Sequence, residues 1–199
     1  MGAGNAQDLT RLLKSIRACT ICAPALTDGV RPVLRASLTA RICIAGQAPG
    51  LRVHRSGIPY DDASGNRLRG WMGIDREIFY DESRIAIIPM GFCFPGYDKH
   101  GGDNPPRKEC AATWHTQLFA TVPQFDLVLL VGSYSQAWHL GARAKENVTE
   151  TVRAWRTYRP RYIPLPHPSW RNNAWLKKNP WFADELLPYL RSRVRRALR

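Results

Sequence analysis

The apolar positions of the chain gather into four short, dense runs: residues 41–45, 84–88, 125–131 and 161–165. Runs this short, rich in Ile, Val and Leu, are strand lengths rather than helix lengths. Each runs directly into a breaker: Gly46, Pro89, Gly132 and the Pro166-His167-Pro168 step. Between them the pattern turns helical. Residues 8–18 place Leu12, Leu13 and Ile16 on one side, residues 68–74 fit a short helix, and 107–120 follow Pro106, a good helix starter. Residues 133–140 and about 180–199 complete the helical set. The Pro-bearing stretch 23–38 reads as irregular, and 91–106, rich in Gly, Pro and Asn, as a loop. Apolar strands alternating with helices predict a three-layer α/β/α sandwich around a mainly parallel, roughly four-stranded sheet. No repeat or linker divides the 199 residues, so residues 1–199 are expected to form a single domain.

A length of 199 residues with 44% hydrophobic content suits one core. No apolar run approaches the ~20 residues that span a bilayer, so no membrane span is expected. The first thirteen residues lack a basic segment followed by an apolar run, which predicts no secretory signal and a cytoplasmic protein. The net charge of +13 points to a polyanion, because each neutralised phosphate releases a counterion. A membrane surface fits less well, since the apolar residues sit in core-like runs rather than one basic amphipathic helix. The last nine residues carry five arginines, which either complement a solvated helix end or meet phosphate.

Five cysteines are present. Cys43 lies mid-strand among isoleucines and reads as an inert core thiol. Cys19 and Cys22 form a CxxC after the first helix. Cys93 opens the long loop and Cys110 lies just inside the next helix, with sixteen residues between them. Two such pairs suit zinc or an iron–sulfur cluster, both of which draw four soft ligands from separate segments; the spacing leaves the two open. The alternative is four unrelated thiols.

The order of these motifs resembles the prokaryotic iron–sulfur branch of the uracil-DNA glycosylase superfamily. That family has a CxxC, a strand ending in GEAPG, a G-x-P-F step, a second cysteine pair of long spacing and a late HPS or HPA motif. Cys19 and Cys22, Gly46-Gln47-Ala48-Pro49-Gly50, Gly57-Ile58-Pro59-Tyr60, Cys93 and Cys110, and His167-Pro168-Ser169 occupy those places in turn. The resemblance implies a DNA-repair hydrolase acting on DNA containing a damaged base, uracil foremost; a monomer with no membrane partner is expected. It also implies a [4Fe–4S] cluster of structural role on Cys19, Cys22, Cys93 and Cys110. A non-catalytic iron–sulfur protein that binds damaged or single-stranded DNA is the alternative.

Base excision needs a flipped nucleotide, an aromatic face, a donor for the departing base, and an anion or oriented water near the sugar. The resemblance gives the donor role to His167. Tyr60 stands for the stacking Phe, and Gly46, Ala48 and Pro89 are the other expected walls of the base pocket. Gln47 replaces a Glu and cannot ionise. The general base is therefore either unnecessary or supplied elsewhere, with His54, Asp61 and Asp62 as candidates; the two aspartates could instead cap the turn before Ser64. Pro89 stands where the family carries a base-reading Asn and has no side-chain donor or acceptor. Ser169 is expected to contact phosphate, and Trp170, Arg171 and Asn172 to form the loop that wedges into DNA; Trp170 could equally anchor the core.

Overall fold

The computed structural model describes residues 3–122 and 125–199, the side chains of residues 3–5 excepted. Four strands, β1 (Ile42–Ala45), β2 (Ile85–Ile87), β3 (Leu127–Val131) and β4 (Tyr162–Leu165), form one sheet of order β2-β1-β3-β4 in which every pairing is parallel. All four apolar runs of the sequence are strands. They read as continuous apolar runs because both faces of the sheet are covered. Ile42, Ile44, Ile85, Ile87, Leu129 and Ile163 point into one core; Cys43, Ala86, Val128 and Leu130, one step out of phase, point into the other.

The first face is covered by α3 (Ala63–Met72), α4 (Arg76–Tyr80), α7 (Val148–Arg153) and α9 (Leu187–Ala197), through Leu68, Trp71, Phe79, Val152, Leu190 and Val194. The second is covered by α1 (Ala3–Arg17), α5 (Lys108–Thr121) and α6 (Ser133–Leu140), through Leu9, Leu13, Ile16, Leu118 and Leu140. This is the three-layer α/β/α architecture expected from the sequence. Cys43 is fully buried, and burial drives its thiol far above the ordinary range, as befits an inert core residue.

Several boundaries differ from the sequence pattern for local reasons. The helix expected over 68–74 begins five residues earlier, because the Asp62 side chain accepts from the Gly65 amide at 2.8 Å and caps it. It stops at Gly73, which takes the left-handed conformation (φ 69°). The helix expected over about 180–199 is split. Pro188 has no amide hydrogen for the carbonyl four residues back, and the chain widens into a π-turn at Phe182–Leu186 before α9 begins. The short helices α2 (Leu51–Ser56), α4, α7 and α8 (Asn173–Lys178) have no counterpart in the expected elements. They run five or six residues, too short for a full amphipathic period.

Candidate functional site

In an open parallel sheet, ligands sit beyond the carboxyl ends of the strands where the strand order reverses. Here that place is the mouth between β1 and β3. The Gly46–Gly50 turn leaves β1 there, Pro89 follows β2, Gly132 follows β3, and His167 follows β4. Backbone pairing continues past the strand ends: the Met90 amide donates to the Gly46 carbonyl at 3.1 Å and the Gly91 amide to the Gln47 carbonyl at 2.8 Å. The two motif loops are therefore held as a rigid floor.

Gly46, Tyr60 and Pro89 meet at one point. The Tyr60 hydroxyl oxygen lies 2.7 Å, and Pro89 Cβ 3.8 Å, from where a Cβ would stand on Gly46. A side chain at Gly46 would evict the tyrosine. Tyr60 itself has a φ of 57°, unusual for a non-glycine residue, and packs edge-on to Phe79 at 6.1 Å. Its carbonyl would lie 1.8 Å from a Cβ on Gly65, so Gly65 lets α3 begin directly beneath it. Burial, with Asp62 and Cys43 adding, raises the Tyr60 phenol and keeps it protonated. Ala48 is half-buried in the same turn.

Gln47 crosses to the β3 side. Its side-chain Cδ and Oε1 lie 2.8 and 2.9 Å from where a Cβ would stand on Gly132, which has a φ of 88°. Gly132 is thus required twice, for its backbone conformation and for the passage of the Gln47 amide. The sequence marks Gly132 as the breaker after β3 but gives no sign of this second role.

His167 is half-buried, and its carbonyl accepts from Asn172 Nδ2 at 2.7 Å. Burial pushes its imidazole below the ordinary histidine range, while Asp62 opposes the shift. Asp62 has one oxygen on the Gly65 amide and also acts electrostatically on Tyr60 and Asp103. The capping reading of this aspartate is thus observed, and its charge also acts on His167. Asp61 points away into an ion pair with Arg76 at 3.2 Å. His54 lies on α2 rather than in a loop. Its ring is tilted against Phe94 at 6.2 Å and its Nδ1 is buried without a hydrogen bond. Among the described residues, Asp62 rather than His54 is the titratable group coupled to His167.

The rim is built from the 91–106 loop and the segment after His167. The loop is tied by a Tyr97–Asp103 bridge and by Asn104 Nδ2, which donates to the Pro95 and Tyr97 carbonyls at 3.2 and 3.1 Å. Asp103 Oδ2 lies 3.5 Å from where a Cβ would stand on Gly50. Burial raises the Asp103 carboxyl; Arg171 opposes this, and Asp62 and Asp98 add to it. No motif in the sequence marks Asp103. Arg171 donates to the Gly101 carbonyl at 3.2 Å and so joins the two rim segments. Trp170 is 71% exposed, which removes the core-anchor reading. The Ser169 carbonyl is held by Arg67 at 2.8 Å.

Cys19, Cys22, Cys93 and Cys110 all line one hollow on the α1–α5 side, walled by Ile16, Leu26, Phe92 and Trp114. Trp114 Nε1 donates to Cys19 Sγ at 3.4 Å and the Phe92 amide to Cys110 Sγ at 3.3 Å. Burial raises the Cys110 thiol to about 12 and also raises Cys93; the neighbouring thiols add to both. Burial and the neighbouring thiols thus both disfavour the thiolates of Cys93 and Cys110. Among the described residues, no group of three His, Cys, Asp or Glu side chains is spaced to share a single metal ion.

Residues 35–191 match the family model of the uracil DNA glycosylase superfamily. The chain belongs to that superfamily. The matched span takes in the whole sheet, both motif loops and His167, and begins after the first cysteine pair. No helix among the described residues is long and apolar enough to cross a membrane.

Proposed function

We propose that the protein is a DNA glycosylase that hydrolyses the N-glycosidic bond of a base flipped out of DNA, with uracil as the substrate, and leaves an abasic site. The observation that carries this reading is the reach of Asp62 to both His167 and Tyr60 at the strand ends, beside the Gln47 turn, in a chain of this superfamily.

The flipped base stacks against the Tyr60 ring beside the Gly46–Gly50 turn. The C1′–N bond breaks heterolytically, its electron pair passing to the base. His167, kept neutral by burial, donates an N–H to the base oxygen on which that charge collects. The Asp62 carboxylate offsets the positive charge growing on the sugar and takes the proton from the water that attacks C1′. Gln47, being uncharged, orients the water or the base edge by hydrogen bonding alone. Since Pro89 offers no side-chain hydrogen bond, base selectivity falls to Gln47 and the backbone of its turn. Ser169, Trp170, Arg171 and Asn172 meet the DNA around the vacated position, the exposed indole of Trp170 stacking where the base has left.

The four cysteines fit a [4Fe–4S] cluster: all four residues line one hollow, and the raised Cys93 and Cys110 thiols would need a cation beside them to ionise. Such a cluster would supply a structural tie between the end of α1, the 91–106 loop and the start of α5, and the excision steps run through protein side chains. A non-catalytic DNA-binding role is the second reading, favoured by the uncharged Gln47 and by Pro89.

Incubation with a uracil-containing oligonucleotide, then alkaline cleavage, tests the proposal. Strand breakage at the uracil is expected with the wild-type protein. His167→Ala should lose about 10²–10³ in rate with DNA affinity retained, as for removal of one oxyanion donor. Absence of breakage with the wild type favours the binding role, and wild-type rates for His167→Ala overturn the assigned chemistry.

A further inference from the structure

The carboxyl ends of the strands carry the site, and the amino ends carry arginine. Arg41, Arg84 and Arg161 stand just before β1, β2 and β4. The cationic end of α9 comes down on the same pole: Arg193 donates to the Asp126 carbonyl, just before β3, at 3.4 Å. Between α9 and the turn before β4 lies an open groove lined by Arg156, Arg159, Tyr189, Arg193 and Arg196. Arg156 is neutralised by Glu185 at 2.7 Å. Among the described residues no carboxylate pairs with Arg159, Arg193 or Arg196. Arg159 is nonetheless held in place, its guanidinium 5.6 Å from the ring centres of both Trp155 and Tyr189 and its Nε donating to the Arg156 carbonyl at 3.1 Å.

This groove cannot serve the DNA that occupies the site. The chain rises about 3.3 Å per residue along β4, so Pro160 at the groove and His167 at the site lie about 20 Å apart on opposite poles. The arginine-rich end of α9 is therefore not part of the rim formed by Trp170 and Arg171. Nor does the groove have the apolar, charge-depleted centre of a protein–protein interface. Its open cationic walls on two elements, with one aromatic ring between them, suit a phosphate chain.

We infer that the groove is a second nucleic-acid site, which takes the phosphate backbone of a separate DNA segment while the first segment lies at the strand ends. One chain then bridges two segments and passes between them without full release into solution. The inference does not depend on excision, because it concerns undamaged DNA at the opposite pole.

The test is the stoichiometry of the full chain with excess undamaged 15-base-pair duplex at low salt, read by sedimentation. Wild-type protein should bind two duplexes per chain and Arg159→Glu/Arg193→Glu/Arg196→Glu one. Uracil excision under single-turnover conditions should be the same for both proteins. The neutral variant Arg159→Gln/Arg193→Gln/Arg196→Gln guards against misfolding; it should keep the wild-type melting transition and weaken the second duplex only. Dissociation of a prebound labelled duplex should accelerate as unlabelled duplex is added to the wild type, and not with the charge-reversed variant. Loss of about three phosphate contacts should reduce the salt slope of second-site binding by about 3. One duplex per wild-type chain, or two on a folded charge-reversed variant, overturns the inference. Absence of excision with two duplexes still bound would count against the glycosylase reading alone.

Discussion

The Asp62 carboxylate acts electrostatically on the His167 imidazole and opposes the burial that lowers the histidine's pKa. The two residues come from different parts of the fold, Asp62 capping α3, the second helix after β1, and His167 following the edge strand β4. Their meeting puts an anion near the neutral donor proposed for the leaving base, although the β1 turn carries Gln47 where an acid is expected.

Replacing Asp62 by Asn separates its two jobs. Asn caps helices about as well as Asp, so the fold should hold, with a change within about 0.5 kcal/mol in denaturant melts. The charge is lost, so the His167 pKa should fall further, as read by NMR titration, and excision should drop by about 10²-fold or more. Asp62→Ala should in addition lose about 1 kcal/mol of stability with the cap. His54→Ala is the comparison: with its ring on Phe94 and no coupling to His167, it should cost far less activity than Asp62→Asn. The reverse ranking would make His54 the base.

Gly132→Ala should destabilise the protein by about 1–3 kcal/mol, since the new Cβ both requires a left-handed alanine and strikes the Gln47 amide. Pairing it with Gln47→Ala should recover the steric share and leave the conformational share. A double-mutant cycle on urea midpoints measures the difference, and strict additivity would show that the two residues do not press on each other.

Protein purified without oxygen should be brown, with iron and sulfide near four each per chain. Cys93→Ala or Cys110→Ala should bleach it and lower the melting temperature, because the hollow ties α1 to the 91–106 loop and α5. Stoichiometric zinc in a colourless, folded preparation would refute the cluster assignment.

Acid should weaken the fold through two buried histidines. Burial lowers His115 to about 4, with the Pro89 and Met90 backbone pulling weakly the other way, and lowers His139 to about 3. An exposed histidine titrates near about 6.5, so between there and about pH 4 the unfolded chain binds protons that the folded chain refuses. Stability is therefore full above that range and falls as pH drops through it, by about 1.4 kcal/mol per unit of depression at each site. His115→Phe, which keeps the stack on Phe92 at 5.4 Å, should flatten the fall between pH 7 and pH 5 in urea melts. An unchanged fall would exclude His115 as its source.

The sheet was legible in the sequence because parallel strands buried on both faces leave dense apolar runs, such as Leu127–Val131, that no helix of that length would carry. The motif turns were legible for a related reason: a breaker placed directly after a buried strand must lie at the strand's carboxyl end, and Gly46, Pro89 and His167 do. Helices of five or six residues, such as α2 and α4, were not legible, because a single turn and a half shows no amphipathic period. Other features depended on the tertiary structure alone. The order β2-β1-β3-β4 brings the ends of β1 and β3 side by side and thereby lays Gln47 against Gly132. The packing of the chain also leaves Asp62 acting on His167 from the cap of α3, while Asp61 pairs with Arg76. Asp103 reaches Gly50 through a loop whose Gly, Pro and Asn announce irregularity but not its path. The arginines of the last helix were plain in the sequence, yet only the packing of α9 against the sheet put them at the pole away from the site. Periodicity reports which face of an element is buried, because burial acts on neighbours along the chain. Convergence of side chains from distant segments is fixed by strand order and helix packing, which no local pattern encodes.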